Sequence, residues 1–406
     1  MTQVSAPDAK ASGLYYGLAG HIIQAIEPHS EADPVGILVQ LLVGIGNIVG
    51  RNAFFEIEAT KHFPNLFAVL VGSSSSARKG TSWNHCLRVL SAVDPAWADK
   101  RVQAGLSSGE GLIAALKDVP SVGTDDDKPV ATDKRLMVVE TEFSSTLTVF
   151  ERSGNILSPL LRQAWDSGTI RVMTKNPQHA TGVHVSVIGH ITPQELSRRL
   201  TTTDAANGFA NRFMWLSVSR SKFLPDGGDV VVLAEKMASF RDELRPVIEF
   251  ARSAGDMKRN PEATELWHEL YTELTRDIPG LFGSVVARGA PIVVRLSMIY
   301  ALLDRSSIIR VEHLAAANAL WKYSEKSARA VFGERLGDPV ADKILDALRQ
   351  SHDGLTRSQI RELFARNQNS DRITNALELL ASHSPKLAYC EQRETGGRPA
   401  EIWYAT

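Results

Sequence analysis

The apolar run Leu66-Phe67-Ala68-Val69-Leu70-Val71 has the length of a buried strand. It breaks at once into Gly72-Ser73-Ser74-Ser75-Ser76-Ala77-Arg78-Lys79-Gly80-Thr81-Ser82, and residues 83–93 then read as an amphipathic segment. A strand, a loop of small residues and a helix in this order suit a phosphate group. Small residues let consecutive backbone N–H groups curl around phosphate oxygens at a helix N-terminus, a lysine reaches the terminal phosphates, and a hydroxyl meets Mg²⁺. The stretch departs from G-x-x-x-x-G-K-[ST] in two ways. Ala77 stands where the second glycine belongs, and the order runs Lys79-Gly80-Thr81. Lys79 is therefore assigned to phosphate and Thr81 to the metal, with Arg78 and Ser82 as alternatives of register. A serine-rich surface turn has the same composition, so the neighbouring segments must decide.

A chain of 406 residues with 43% apolar content can bury two or three cores. Its net charge of −1 gives no global basic signature, so any nucleic-acid contact has to be local. With Cys86 and Cys390 as its two cysteines, the chain lacks a disulfide framework and a cysteine-rich zinc site. This fits a reducing, cytoplasmic setting. Residues 1–12 are small and polar, unlike a signal peptide, and residues 34–49 are too short for a membrane span and contain Gln40 and Asn47.

Two helical patterns open the chain, at residues 14–26 and 34–49. Asp33 is a cap for the second, and Pro34 suits its first position. Residues 53–58 alternate as a strand would. Gly105 to Ser108 form a glycine-serine turn that opens a helix carrying Glu110, and residues 118–133 read as an exposed polar insertion. The run Arg135-Leu136-Met137-Val138-Val139 then ends in Glu140-Thr141-Glu142-Phe143. A buried parallel strand ending in acids can carry the water-orienting base and a Mg²⁺ partner, read here as Glu142 and Glu140 respectively. Residues 156–165 look helical. Residues 169–183 alternate around the Asn176-Pro177 turn and carry Arg171, Lys175 and His179. A core strand at residues 183–189 follows and ends in the polar His190 and Thr192, either of which suits a contact to water or the terminal phosphate.

Taken in sequence, these segments resemble the AAA+ ATPase module of the minichromosome-maintenance helicases and of similar ATPases carried by mobile elements. That family also has alanine for the second glycine, as Ala77 does. Its Ser-Ser-x-x-Gly-Leu-x-Ala-Ala segment is similar to the stretch from Ser107 to Ala115, and its Asp-Glu-Phe to Thr141-Glu142-Phe143. Its pore hairpin precedes the sensor strand in the same way, and an arginine-phenylalanine pair matches Arg212-Phe213. The similarity spans residues 19–320. Thr141 replaces the family's Mg²⁺-side aspartate, so either Glu140 substitutes or metal binding differs. Only residues 1–52 precede the core strands, leaving no room for that family's large N-terminal nucleic-acid domain.

The resemblance implies an α/β P-loop NTPase core with a parallel sheet at residues 51–230, after an N-terminal helical segment at 1–50. A helical lid at 231–335 follows, with helices at residues 234–253, 262–276 and 311–332. It further implies ATP and Mg²⁺ as ligands, a homo-oligomeric ring, an arginine finger at Arg212, and a γ-phosphate-sensing arginine in the lid, for which Arg288 and Arg295 both qualify. Residues 338–406 read as three helices and a glycine-tipped hairpin, the order of a winged helix. Arg372 would lie on its groove-facing helix, with Arg393 and Arg398 near the wing tip. Single-stranded DNA in the pore would meet Arg171 and Lys175. Three functions fit: a helicase or translocase, an ATP-driven assembly switch that binds DNA without unwinding it, and a P-loop relic without hydrolysis.

Overall fold

A computed structural model describes residues 13–118, 133–173, 178–200, 207–333, 338–382, 386–394 and 400–406. Its centre is a sheet of five parallel strands in the spatial order Val102–Gln103, Arg135–Glu140, His184–Ile191, Phe67–Val71 and Phe213–Ser217. Every residue of the three strands Phe67–Val71, His184–Ile191 and Phe213–Ser217 is buried. Parallel strands covered on both faces demand such unbroken apolar runs, since neither face meets water.

The period of two sorts residues between those faces. On one side lies helix Pro34–Val49, begun where Asp33 accepts the Val35 N–H at 3.0 Å. His184 and His190 point toward it, and their Nε2 atoms lie 2.9 Å from the Gly46 carbonyl and the Gln40 Oε1 respectively. Gly189 faces the other side against Phe143, where an added Cβ would come within 2.6 Å of the ring. That face is closed by helices Phe143–Phe150 and Leu157–Asp166. Asn47, deep in the long helix, donates to the carbonyls of Leu136 and His184 and accepts from Trp97 Nε1. It pins the amino end of the sheet to the helix.

Helices Val230–Ala251, Pro261–Leu274, Gly280–Val286, Gly289–Leu303 and Val311–Phe332 extend the same core. Among the described residues one stretch, Gly280–Leu303, is apolar and long enough to cross a membrane, and 83% of its most apolar window is buried inside the fold. A second, separate core belongs to helices Pro339–Gln350, Arg357–Glu362 and Ser370–Ser382. Its antiparallel sheet runs Leu355–Thr356, Ala400–Ala405, Ala388–Arg393 in space. Ile344, Leu348, Ile360, Leu377 and Trp403 fill that core.

Candidate functional site

The loop at residues 72–78 leaves the carboxyl end of strand Phe67–Val71. Gly72 donates to the Ile191 carbonyl at 3.1 Å, and a Cβ there would lie 2.5 Å from the Val218 carbonyl oxygen, so only glycine fits. Ser73 to Ser76 are exposed and Ala77 is buried. The chain then bends through Arg78 at φ 51°, the left-handed region that favours glycine, and helix Lys79–Val93 begins. Lys79 directly follows this bend as the first residue of the helix. Arg78 itself turns away to Glu31, with Nε to Oε2 at 2.6 Å.

Lys79 folds back over the loop, its Nζ 2.6 Å from the Gly72 carbonyl oxygen and 3.1 Å from that of Ser73. The N–H groups of Lys79, Gly80 and Thr81 open the helix and have no partner one turn back. Gly80 and Thr81 are exposed. An ammonium and a run of N–H donors at one helix N-terminus suit an anion chemically, and the helix dipole adds to this. Ser82 is not available to a ligand, because its buried hydroxyl donates to the Lys79 carbonyl and accepts from Gln40 Nε2. Thr81 thus remains the free hydroxyl of the first turn. Burial depresses the Lys79 pKa, and the charges of Glu195 and Glu142 oppose that depression.

Both carboxylates come from the ends of neighbouring segments. Glu142 is exposed at the N-cap of helix Phe143–Phe150. Glu195 belongs to a capping box that starts helix Pro193–Arg199: Thr192 accepts the Glu195 N–H, and Glu195 Oε2 accepts from the Thr192 N–H and hydroxyl. The hydrogen bond from Thr192 is the main reason that the Glu195 carboxyl titrates low. Thr192, expected as a direct contact to water or phosphate, spends its hydroxyl on this cap. Thr192→Ala is expected to cost about 1 kcal/mol of stability in urea unfolding. Glu140 is buried, and its Oε1 accepts the N–H groups of Gly105 and Leu106 at 2.7 Å each. One of its oxygens is therefore committed to holding a loop. Glu110 is exposed in the first turn of helix Gly109–Leu116.

Three arginines assemble at the opposite end of the sheet. Phe213 pairs with Phe67, so Arg212 lies beside the entry to the strand whose exit is the loop at residues 72–78. From residue 66 to residue 72 an extended strand covers about 20 Å. Arg212 is buried, with Nη2 2.5 Å from Asp166 Oδ2 and Nη1 bonded to the Gly208 carbonyl. It does not project from the subunit as a finger was expected to. Arg288 is half-exposed and touches the other Asp166 oxygen at 3.4 Å. Arg295 is wholly buried, stacked 3.6 Å from the Trp165 ring centroid. It donates to the Asn65 carbonyl and side chain and to the Trp165 carbonyl. Burial pushes its pKa down to about 9. Of the two lid candidates, Arg295 serves the core and Arg288 keeps a face to solvent. Arg295→Lys, which retains the charge but loses the planar fork and the stack, is expected to cost about 2 kcal/mol by urea unfolding.

Arg171 is exposed on strand Ile170–Val172, paired with His179 in an antiparallel hairpin, as the alternation predicts. Lys175 and Arg398 lie outside the described residues. Arg372, expected to face a DNA groove, is held by both oxygens of Asp338, at 2.8 and 2.7 Å. Arg393 is exposed at the end of its strand. No group of three or more His, Cys, Asp or Glu side chains able to hold a metal occurs among the described residues. The sequence reading missed Glu195 and Gln40. The pattern Thr192-Pro193-Gln194-Glu195 after a strand was the available signal for the first. Gln40, in an apolar helix, gave no signal of its own. No protein-family model matches the chain, and no curated protein matches it.

Proposed function

We propose that this chain is an ATP-hydrolysing, DNA-associated ATPase of the AAA+ type that works as an oligomeric ring, acting as a replicative-type helicase or translocase. The observation that carries the reading is Lys79. Its ammonium lies against the carbonyls of Gly72 and Ser73 at the mouth of a loop whose helix offers free N–H groups, with Glu142 and Glu195 close enough to act on its charge. Phosphoryl transfer needs this kind of positioning and charge more than covalent help from the protein. Strand His184–Ile191 separates the acidic strand from the loop strand, so the two ends are about 10 Å apart, room for a terminal phosphate and a water. Lys79 would hold the β- and γ-phosphates and Glu142 would orient the attacking water. Mg²⁺ neutralises phosphate charge when bound. Thr81 would be its protein ligand and the remaining oxygen of Glu140 its outer partner, a small protein share that suits this ion.

Arg212 and Arg288 lie about a strand's length from their own loop, so each would serve a neighbouring subunit's nucleotide, Arg288 from its solvent-facing position and Arg212 only after leaving Asp166 and Gly208. Mixing Arg212→Ala with Glu142→Gln subunits is expected to restore part of the turnover that each lacks alone. No recovery at any ratio, in preparations shown to co-assemble, would assign Arg212 to its own subunit. The lock of Arg212 onto Asp166 and Gly208 favours a second reading, in which ATP changes the assembly state without DNA movement. Single-stranded DNA would run along the hairpin bearing Arg171 and Lys175. Residues 338–406, read as a winged helix, would take duplex DNA near Arg393. ATPase rates with and without single-stranded DNA, alongside solution mass with nucleotide, separate the two. DNA-stimulated turnover supports the motor, and a nucleotide-dependent mass without stimulation supports the switch.

A further inference from the structure

Gln40 is the one residue that touches both the phosphate-loop helix and the end of the central strand through its side chain, among the described hydrogen bonds. It is fully buried in the middle of helix Pro34–Val49. Its Nε2 donates to the Gly36 carbonyl at 3.0 Å and to Ser82 Oγ at 2.5 Å, which uses both amide hydrogens. Ser82 Oγ in turn donates to the Lys79 carbonyl at 2.6 Å. The amide orientation is therefore fixed, and Oε1 faces His190 Nε2 at 2.9 Å. Since Oε1 can only accept, the imidazole must carry its proton on Nε2.

His190 is buried, and burial together with the positive charge of Lys79 pushes its pKa down to about 4. The ring is neutral at physiological pH and its Nδ1 is a bare acceptor. An acceptor takes a hydrogen from water and repels a phosphate oxygen. Gly72, which donates to the Ile191 carbonyl, ties the other side of the loop to the same strand.

We propose that Gln40 is a positioning residue for ATP hydrolysis: its amide holds His190 as the Nε2–H tautomer and locks the end of strand His184–Ile191 to the first turn of the phosphate-loop helix. The proposal rests on the reading of residues 72–82 as an ATP site. It goes beyond that reading because it assigns a residue of the preceding helix to the geometry of the reaction. Loop and strand end then move as one unit, and a nucleotide that shifts Lys79 also shifts His190.

The test uses the full chain labelled with ¹⁵N-histidine, in wild type, Gln40→Met and Ser82→Ala, with unfolding curves to establish that each is folded. Wild-type His190 is expected to show a protonated Nε2 and an unprotonated Nδ1, and Gln40→Met to lose that single tautomer. Its kcat should fall about ten- to a hundredfold with KM for ATP within about twofold, a split that a merely loosened fold would not give. Ser82→Ala removes only the link to the helix and should lower kcat while the tautomer persists, which keeps the test valid if Gln40→Met does not fold. A wild-type proton on Nδ1, or unchanged kcat in either folded variant, overturns the Gln40 assignment while leaving the ATP reading intact. A wild type that turns over no ATP overturns the ATP reading itself, even where the tautomer is as expected.

Discussion

Glu142→Gln is expected to bind ATP as the wild type does and to lose turnover by about 10² to 10⁴-fold, the usual range for a lost general base. In barrier terms that is about 3 to 5 kcal/mol. The amide keeps the size of the side chain and its N-cap position on helix Phe143–Phe150, so the fold gives no reason for a change in stability. Glu142 makes no side-chain cap bond, and it is exposed, which leaves its carboxylate free to take a proton from water. Retained turnover would move the role elsewhere. Glu195 is the first alternative, because its charge also acts on Lys79, but its oxygens are occupied by Thr192 and Ser144. Glu140 and Glu110 follow, the first buried and bonded to two N–H groups, the second on a different helix. Single-turnover hydrolysis beside equilibrium binding separates these cases.

Long elements with strong local signals were legible in the sequence. Asp33 and Pro34 marked the start of helix Pro34–Val49, and the apolar runs marked strands Phe67–Val71 and Arg135–Glu140. Helix Val311–Phe332 has the expected bounds. Helices Pro95–Lys100, Phe143–Phe150 and Pro193–Arg199 escaped because six to eight residues are too few for a helical period to show. The helix after the loop at residues 72–78 starts at Lys79, four residues before the amphipathic pattern does. Gly80, Thr81 and Ser82 are weak helix formers, and the left-handed bend at Arg78 and the Ser82–Gln40 bond impose their conformation.

The candidate end of the sheet was half visible. The positions of Lys79, Thr81 and Glu142 at one end of the sheet could be read from order and spacing, because each follows a strand with a strong apolar signal. The pairing of Arg212 with Asp166 could not, since 46 residues separate them and neither position signals the other. The same holds for Arg372 and Asp338, which are 34 residues apart. Arginines are read from sequence as free charges. Whether one is free depends on a carboxylate elsewhere in the chain.

Lys79→Ala has the other large expected effect. The ammonium is half-buried and already bonded to two backbone carbonyls, so its position is set before any ligand arrives, and little side-chain entropy remains to be lost on binding. Its removal leaves the loop backbone in place, because Gly72, Ala77 and the Ser82–Gln40 bond fix it independently of that side chain. The loss is therefore one of charge at the phosphates, about 3 kcal/mol or more, which corresponds to more than about a hundredfold in affinity. Calorimetric titration of MgATP into the wild-type chain and into Lys79→Ala, with matched unfolding curves, measures this directly. The account predicts one site per chain in the wild type and affinity weaker by at least about a hundredfold in the variant. Equal affinity in the two proteins, or no binding by the wild type, would contradict it.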